Sequence, residues 1–161
     1  MFKSSFLAIC LFLCFQSLAQ TSGSATEAKN FGLSIVRSYF DNNCSHVFDQ
    51  LSSRITSIEG GQQIQITEEQ RNEFCAQSPL RNDVSVSYQE YLDNYAVTVL
   101  DLKQFKAKYP EWSDNLSMKA GDYFFDGSRP IAAGAKRLFR ASDMSRFLLR
   151  KMTGAWKIIA L

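Results

Sequence analysis

Two aspartates flank a run of three aromatic residues and are the first candidates for chemistry in this sequence. Asp122 and Asp126 stand on either side of Tyr123-Phe124-Phe125. Because side chains alternate along a β-strand, residues 122, 124 and 126 would share one face. If that face is inward, the carboxylates lie in an aromatic pocket, where desolvation raises a carboxylate pKa and favours acid–base catalysis. Alternatively, both aspartates face water or a turn, and Tyr123 and Phe125 fill the core.

His46 is the only histidine in the chain and is the third candidate catalytic residue. A His–Asp pair in a pocket would require His46 to face the sheet. However, His46 lies beside Cys44 near a predicted helix start, which favours a surface or capping position. A single histidine without further ligands does not indicate a metal site. The sequence has no Gly-rich phosphate loop, Gly-x-Ser-x-Gly elbow or His-Glu-x-x-His motif, so we expect neither a metal nor a cofactor.

Three arginines form a candidate ligand-binding patch near the end of the chain. Arg146 and Arg150 share one face of a predicted strand, and Arg140 lies on the strand before it. Arginine binds carboxylate and phosphate groups through two parallel hydrogen bonds. The three side chains therefore predict an anion-binding patch if they cluster across the strands, or a solvated outer face if they do not.

The distribution of charge along the chain is compatible with either an anion-binding patch or a solvated outer face. Residues 129–161 contain eight basic residues and one acidic residue, whereas residues 21–128 contain nine basic and fifteen acidic residues. This asymmetry predicts either an anionic small molecule or protein partner on the basic sheet face, or two parts of the chain that complement each other. Nucleic acid is not expected as a partner, because no recognisable binding motif is present.

The N-terminal segment has the pattern of a secretory signal peptide. Lys3 is followed by an apolar run over residues 6–15, and Ser17-Leu18-Ala19 provides a cleavage site. That run is too short to span a bilayer, which needs about 20 residues. We therefore predict a signal peptide at residues 1–19 and a single domain at residues 20–161. The mature protein is expected to be secreted or periplasmic, without a membrane anchor.

Signal-peptide cleavage would leave two of the four cysteines in the mature chain. Cys10 and Cys14 are removed, and Cys44 and Cys75 remain. An exported protein meets an oxidising environment, so these two cysteines are predicted to form a disulfide. The alternative is a pair of free buried thiols.

The elements that must position these residues begin with helices and continue with strands. An amphipathic helix is predicted at residues 25–42, and Thr67 with Gln70 forms a capping box that begins a helix ending near residue 77. Two β-prone pieces flank Gly60-Gly61. Strands are predicted at residues 84–88, 95–100, 121–126 and 135–141, with Asp126-Gly127 as a turn and a short helix within 103–109.

The last residues have the pattern of a C-terminal β-hairpin. Two apolar runs flank Thr153-Gly154, which is typical of a tight turn between paired strands. Helices precede most of the strands, and the strands are close together in sequence. We therefore predict an α+β fold, in which N-terminal helices pack on a curved antiparallel β-sheet.

This order of elements, together with the ending Lys151-x-x-Gly154-x-Trp156-Lys157-Ile158, resembles the NTF2-like superfamily, also called cystatin-like. The resemblance implies a curved sheet that wraps a long helix to form a cone, with a ligand pocket at its mouth. Some members are isomerases, dehydratases or polyketide cyclases, and many secreted members have no assigned activity. Residues 88–130 depart from this pattern, with extra helix and loop.

Three functional hypotheses follow from these observations. In the first, an exported non-catalytic NTF2-like domain binds a small molecule or partner protein through its cone pocket or basic sheet face. In the second, an NTF2-like isomerase, dehydratase or hydrolase uses a pocket carboxylate such as Asp126 with a tyrosine. In the third, the protein is a cell-envelope assembly subunit, and the basic sheet is an oligomer interface, as in a homodimer.

Overall fold

The computed structural model describes residues 24–77, 87–131 and 145–161. The first helix, α1, covers residues 24–40. The other helices are α2 (Cys44–Asp49), α3 (Glu68–Gln77), α4 (Tyr88–Asn94), α5 (Leu102–Lys108) and α6 (Pro110–Ser113). The strands are β1 (Leu51–Thr56), β2 (Gln63–Gln65), β3 (Tyr95–Leu100), β4 (Tyr123–Pro130), β5 (Arg146–Met152) and β6 (Ala155–Ala160). The described fold is therefore α+β, as predicted.

The six strands form one mixed sheet in the order β2-β1-β6-β5-β4-β3. Four neighbouring pairs are antiparallel, but β1 runs parallel to β6. The prediction of a wholly antiparallel sheet is therefore wrong at this pair. The last strand of the chain inserts between β1 and β5, so an early strand becomes the neighbour of a late one. This long-range pairing cannot be inferred from adjacent strands in the sequence.

Helices cover both faces of the sheet rather than one. On the first face, α1, α2 and α4 contribute Ile35, Val47 and Tyr91 to a core that includes Phe125 and Phe147. On the second face, a smaller core combines the helical and loop residues Phe105, Tyr109, Trp112 and Leu116 with the sheet residues Phe124 and Leu148. We call this second side the α5 face. Part of its cover, α5, corresponds to the short helix predicted within residues 103–109, whereas α6 was not predicted.

Strand β4 continues through Asp126-Gly127, so the predicted turn at this position is wrong. Gly127 allows a close approach between β4 and α4. A Cβ atom at Gly127 would lie 2.0 Å from the hydroxyl oxygen of Tyr91. The same hydroxyl donates a hydrogen bond to the Gly127 carbonyl oxygen at 3.0 Å. A glycine is required at position 127 because the buried Tyr91 packs directly against the backbone there, and not because the chain turns.

Local capping signals agree with the structure at α3. The Thr67 hydroxyl accepts from the Gln70 amide, and the Gln70 side chain accepts from the Thr67 amide, each at 3.1 Å. Helix α2 is capped by Asn43, whose side chain accepts from the His46 amide at 3.2 Å. The predicted strands at residues 84–88 and 135–141 lie largely or wholly outside the described residues, and Tyr88 begins α4.

The predicted disulfide is present. It joins Cys44, the first residue of α2, to Cys75 in α3, and the two Cα atoms are 5.6 Å apart. The same two helices are also joined by an ion pair between Asp49 and Arg71 at 2.6 Å. Both side chains of that pair are partly exposed, so we expect it to stabilise the protein by at most about 1 kcal/mol. The covalent link is therefore the stronger attachment between these helices.

Gly32→Ala in α1 is expected to destabilise the protein. A Cβ atom at this position would lie 2.1 Å from a ring carbon of Phe125, which is fully buried. Overpacking of this kind costs about 1–3 kcal/mol, which exceeds the gain of about 1 kcal/mol in helix propensity. Urea unfolding measures the change. Adding Phe125→Leu should partly restore the stability of the Gly32→Ala variant. Ser34→Ala, on the exposed side of α1, is the control. Unchanged stability in Gly32→Ala would contradict the close contact between residue 32 and Phe125.

Candidate functional site

Both candidate aspartates, Asp126 in β4 and Asp122 immediately before it, are buried on the α5 face. Asp122 and Asp126 have 3% and 1% of their surface exposed. Phe124 lies between them in the second core, whereas Tyr123 and Phe125 belong to the first core. The alternation predicted for this strand is therefore present, but both of its faces are covered. Each carboxylate is held by a different set of partners.

Asp126 is the centre of a polar cluster at the end of α5. One of its carboxylate oxygens accepts from Lys108 Nζ at 2.7 Å and from the Tyr109 hydroxyl at 2.5 Å. The other accepts from the Ser128 hydroxyl at 2.9 Å. Helix α5 positions Lys108 and Tyr109, and its start is fixed by a capping box between Asp101 and Gln104. The cluster therefore fastens α5 onto β4.

The protonation states in this cluster are fixed by the contacts. Burial alone would raise the pKa of Asp126, but hydrogen bonds from Lys108, Tyr109 and Ser128 outweigh burial and hold the pKa below its usual value. Burial raises the pKa of Tyr109, and its hydrogen bond to the Asp126 carboxylate adds to this rise. At neutral pH, Asp126 is ionised and Tyr109 keeps its proton. The geometry suits a structural ion pair better than a proton donor or acceptor.

Asp122 forms a bidentate pair with Arg150. Arg150 Nε donates to Asp122 Oδ1 at 2.8 Å, and Arg150 Nη2 donates to Asp122 Oδ2 at 2.6 Å. Arg150 Nη2 also donates to the Ser117 carbonyl oxygen at 2.9 Å, and the Lys119 amide donates to Asp122. The pair therefore holds the segment after α6 against β5. Among the described residues, no hydrogen bond uses Arg150 Nη1.

The remaining predicted site residues do not assemble into one cluster among the described residues. Arg146 lies on the same face as Arg150, with its guanidinium 5.0 Å from the centre of the Trp112 ring. Arg140 lies outside the described residues. His46 is partly exposed on α2, and within the described part of the chain its side chain makes no hydrogen bond or ion pair with either aspartate.

A groove of about 230 Å³ lies on the α5 face, beside the Asp122–Arg150 pair. We call it the sheet groove. Its walls come from β1, the first residue of β2, the segment after α6, and strands β5 and β6. It is lined by Ser52, Arg54, Thr56, Gln63, Leu116, Ser117, Leu148, Arg150, Met152, Ile159 and Ala160.

The polar side chains of the sheet groove have unused hydrogen-bonding capacity. Within the described ranges, no hydrogen bond or ion pair is formed by the side chains of Ser52, Arg54, Thr56, Gln63 or Ser117. This differs from the rest of the α5 face, where the buried carboxylates are saturated with donors. No lining residue is acidic. The groove is therefore a positively charged concavity whose donors and acceptors are available to a ligand.

The sequence analysis did not identify the residues that β1 contributes to this groove. Ser52, Arg54 and Thr56 alternate, so they share one face of β1. A pattern in the sequence could have identified them: within residues 51–56, polar residues occupy every second position, and the apolar Leu51 and Ile55 lie on the opposite face. Because β1 lies next to β6 only through long-range parallel pairing, nothing local in the sequence brings Arg54 near Arg150.

Comparison with known proteins identifies no relative of this chain. No protein-family model, curated protein or solved structure matches this chain. In the described ranges, no helix is both long and apolar enough to cross a membrane. Among the same residues, no group of three or more His, Cys, Asp or Glu side chains is arranged to hold a metal ion.

Proposed function

We propose that this protein is an exported, non-catalytic NTF2-like domain that binds a small molecule carrying a negatively charged group in the sheet groove. The observation that carries the proposal is the set of five polar side chains, Arg54 among them, that line one concavity without partners within the described residues. Ligand pockets typically combine apolar lining with a few polar groups that orient the ligand. The sheet groove has both components.

The charges around the groove favour an anion. Arg54 has no acidic partner among the described residues, and Arg150 is balanced by Asp122. The groove therefore has a net charge of about +1 from these residues. An incoming anion would gain a charge-assisted hydrogen bond from Arg54, which typically contributes about 1.5–3 kcal/mol.

Arg150 is suited to orient such a ligand. Asp122 and the Ser117 carbonyl fix its guanidinium through Nε and Nη2. Its Nη1 group retains two N–H donors, because arginine carries five in a rigid plane. A side chain that is already held in place loses little conformational entropy when it binds. Arg150 thus offers a fixed donor pair, and the exposed Arg54 offers a charge that moves to meet the ligand.

The order of elements and the disulfide support the remaining parts of the proposal. The long helix α1 packs on one face of the sheet, as the resemblance to NTF2-like domains implies. The Cys44–Cys75 disulfide is consistent with export, because disulfides persist in oxidising compartments. An N-terminal signal peptide at residues 1–19 would provide the route and lies outside the described residues.

An enzyme that uses Asp126 is the second candidate function. The observation in its favour is the contact between the Asp126 carboxylate and the Tyr109 hydroxyl, a carboxylate–tyrosine pair on the α5 face. Against it, the pKa of Asp126 is lowered and its oxygens already accept from three side chains. Asp126 does not line the sheet groove. These facts favour the binding function.

Arg54→Gln is expected to weaken anion binding by about tenfold or more, since it removes the unbalanced charge of the groove. The measurement is an amide NMR titration of the mature protein with acetate and with inorganic phosphate, in which the shifted amides should include those of β1 and β5. Arg129→Gln is the matched control, because Arg129 is exposed on β4 outside the groove. If neither anion shifts groove amides, or if both variants bind alike, the proposal fails.

A further inference from the structure

We propose that the ligand of the sheet groove is a small hydroxylated monocarboxylate, of the chemical class of the sugar acids. This inference rests on the proposed anion-binding function and specifies its ligand. Three properties of the lining residues carry it: the single unbalanced charge, the composition of the polar side chains, and the size of the groove.

The charge favours a single carboxylate. Arg54 is the one lining cation without an acidic partner among the described residues, since Arg150 is paired with Asp122 through two hydrogen bonds. A carboxylate accepts two parallel N–H donors from one guanidinium. A doubly charged phosphate would leave one negative charge unbalanced in the groove. The charge balance is therefore closest for a monoanion.

The polar lining favours hydroxyl groups on the rest of the ligand. Ser52, Thr56 and Ser117 carry hydroxyls, and Gln63 carries an amide, so each side chain both donates and accepts hydrogen bonds. Ligand hydroxyls have the same dual capacity and would satisfy them. An alkyl chain at this place would displace water from these four groups without replacing its hydrogen bonds, which is unfavourable.

The dimensions and the apolar floor favour a short carbon skeleton. The floor is formed by Leu148 and Ala160, which are buried, with Ile159 beside them. The C–H face of a polyhydroxylated chain or ring packs on such a surface. The groove volume of about 230 Å³ lies below the roughly 300–1,000 Å³ of sites for drug-sized molecules. A molecule of the size of a six-carbon acid is the appropriate scale.

The test compares four six-carbon or inorganic probes by amide NMR titration of the mature protein. Gluconate carries the carboxylate and hydroxyls, hexanoate only the carboxylate, sorbitol only the hydroxyls, and inorganic phosphate only the charge. We expect gluconate to bind at least about tenfold more tightly than each of the others, as for one or two added hydrogen bonds. Ser52→Ala and Thr56→Val should weaken gluconate binding and leave hexanoate binding unchanged.

Ser53→Ala is the matched control, because Ser53 lies on β1 between two lining residues and does not line the groove. Circular dichroism and urea unfolding confirm that each variant is folded. If hexanoate or phosphate binds as tightly as gluconate, the ligand class is wrong and the anion-binding function stands. If sorbitol binds as tightly as gluconate, or if no probe shifts a groove amide, the inference and the proposed function both fail.

Discussion

Asp126→Asn is expected to lower the free energy of unfolding by about 3 kcal/mol. Removing one partner of a buried ion pair costs about 3–5 kcal/mol, because the other charge remains desolvated. Asp126 is 1% exposed, but the Lys108 side chain is 31% exposed and is able to turn towards water. The expected loss is therefore at the lower end of that range. Urea unfolding at neutral pH measures it.

The same substitution is expected to change the acid sensitivity of the protein. The pKa of Asp126 is lower in the folded state than the value of about 3.9 expected for an unfolded chain. Its contribution to stability is therefore complete above that unfolded value and is lost as the pH falls through the folded pKa. Wild-type stability should decrease more steeply in acid than that of Asp126→Asn, so the two curves should converge at low pH.

Two further variants test the assignment of this effect to the ion pair. Asp114→Asn is the control, because Asp114 is exposed and, among the described residues, its side chain accepts a hydrogen bond only from the Ser113 hydroxyl, at 3.5 Å. The double variant Lys108→Met, Asp126→Leu removes both charges and should recover part of the loss. Equal stability of Asp126→Asn and Asp114→Asn, or the same acid dependence in wild type and Asp126→Asn, would show that the pair is not a stabilising contact.

Replacing both Cys44 and Cys75 with serine is expected to lower the free energy of unfolding by about 3–4 kcal/mol. The bond closes a loop with a sequence separation of 31 residues, so its loss increases the conformational entropy of the unfolded chain. The Asp49–Arg71 ion pair also joins α2 to α3, but it is a weak, exposed contact. Urea unfolding of the mature protein, oxidised and reduced, measures the effect.

The double serine variant also provides its own control for the reductant. Reduced wild type and the variant should unfold at the same urea concentration, and a reducing agent should not affect the variant. If reduction leaves the wild-type midpoint unchanged, the disulfide contributes no stability. If the variant is destabilised but reduction has no effect on wild type, then the serine side chains cause the loss, and the entropic explanation is wrong.

The sequence predicted several elements of this fold correctly because their signals are local. The Thr67–Gln70 capping box depends on residues three positions apart, and the strand at residues 95–100 shows its β-forming residues directly. The Cys44–Cys75 pairing followed from counting cysteines under the assumption of export. The alternation around Phe124 correctly placed Asp122 and Asp126 on one side of a strand.

The sequence could not determine which side of that strand would be covered. Helices α5 and α6 and the segment after them pack over Asp122 and Asp126. The sequence predicted a short helix at the position of α5, but not that it would pack over this side of the strand. The same packing supplies Lys108 and Tyr109, which lower the pKa of Asp126. A carboxylate that was a candidate for catalysis thus became part of an ion pair.

The sequence by itself therefore determined the α+β composition, the cap of α3, the strand at residues 95–100 and the pair of cysteines. Only the tertiary structure decided the parallel pairing of β1 with β6, the closeness of Gly127 to Tyr91, and the sheet groove that includes Arg54 and Arg150. The physical reason is distance along the chain. Helix caps and strand alternation depend on residues only a few positions apart. The groove forms only when residues about 100 positions apart meet, and that long-range contact depends on the free energy of burying both faces of the sheet.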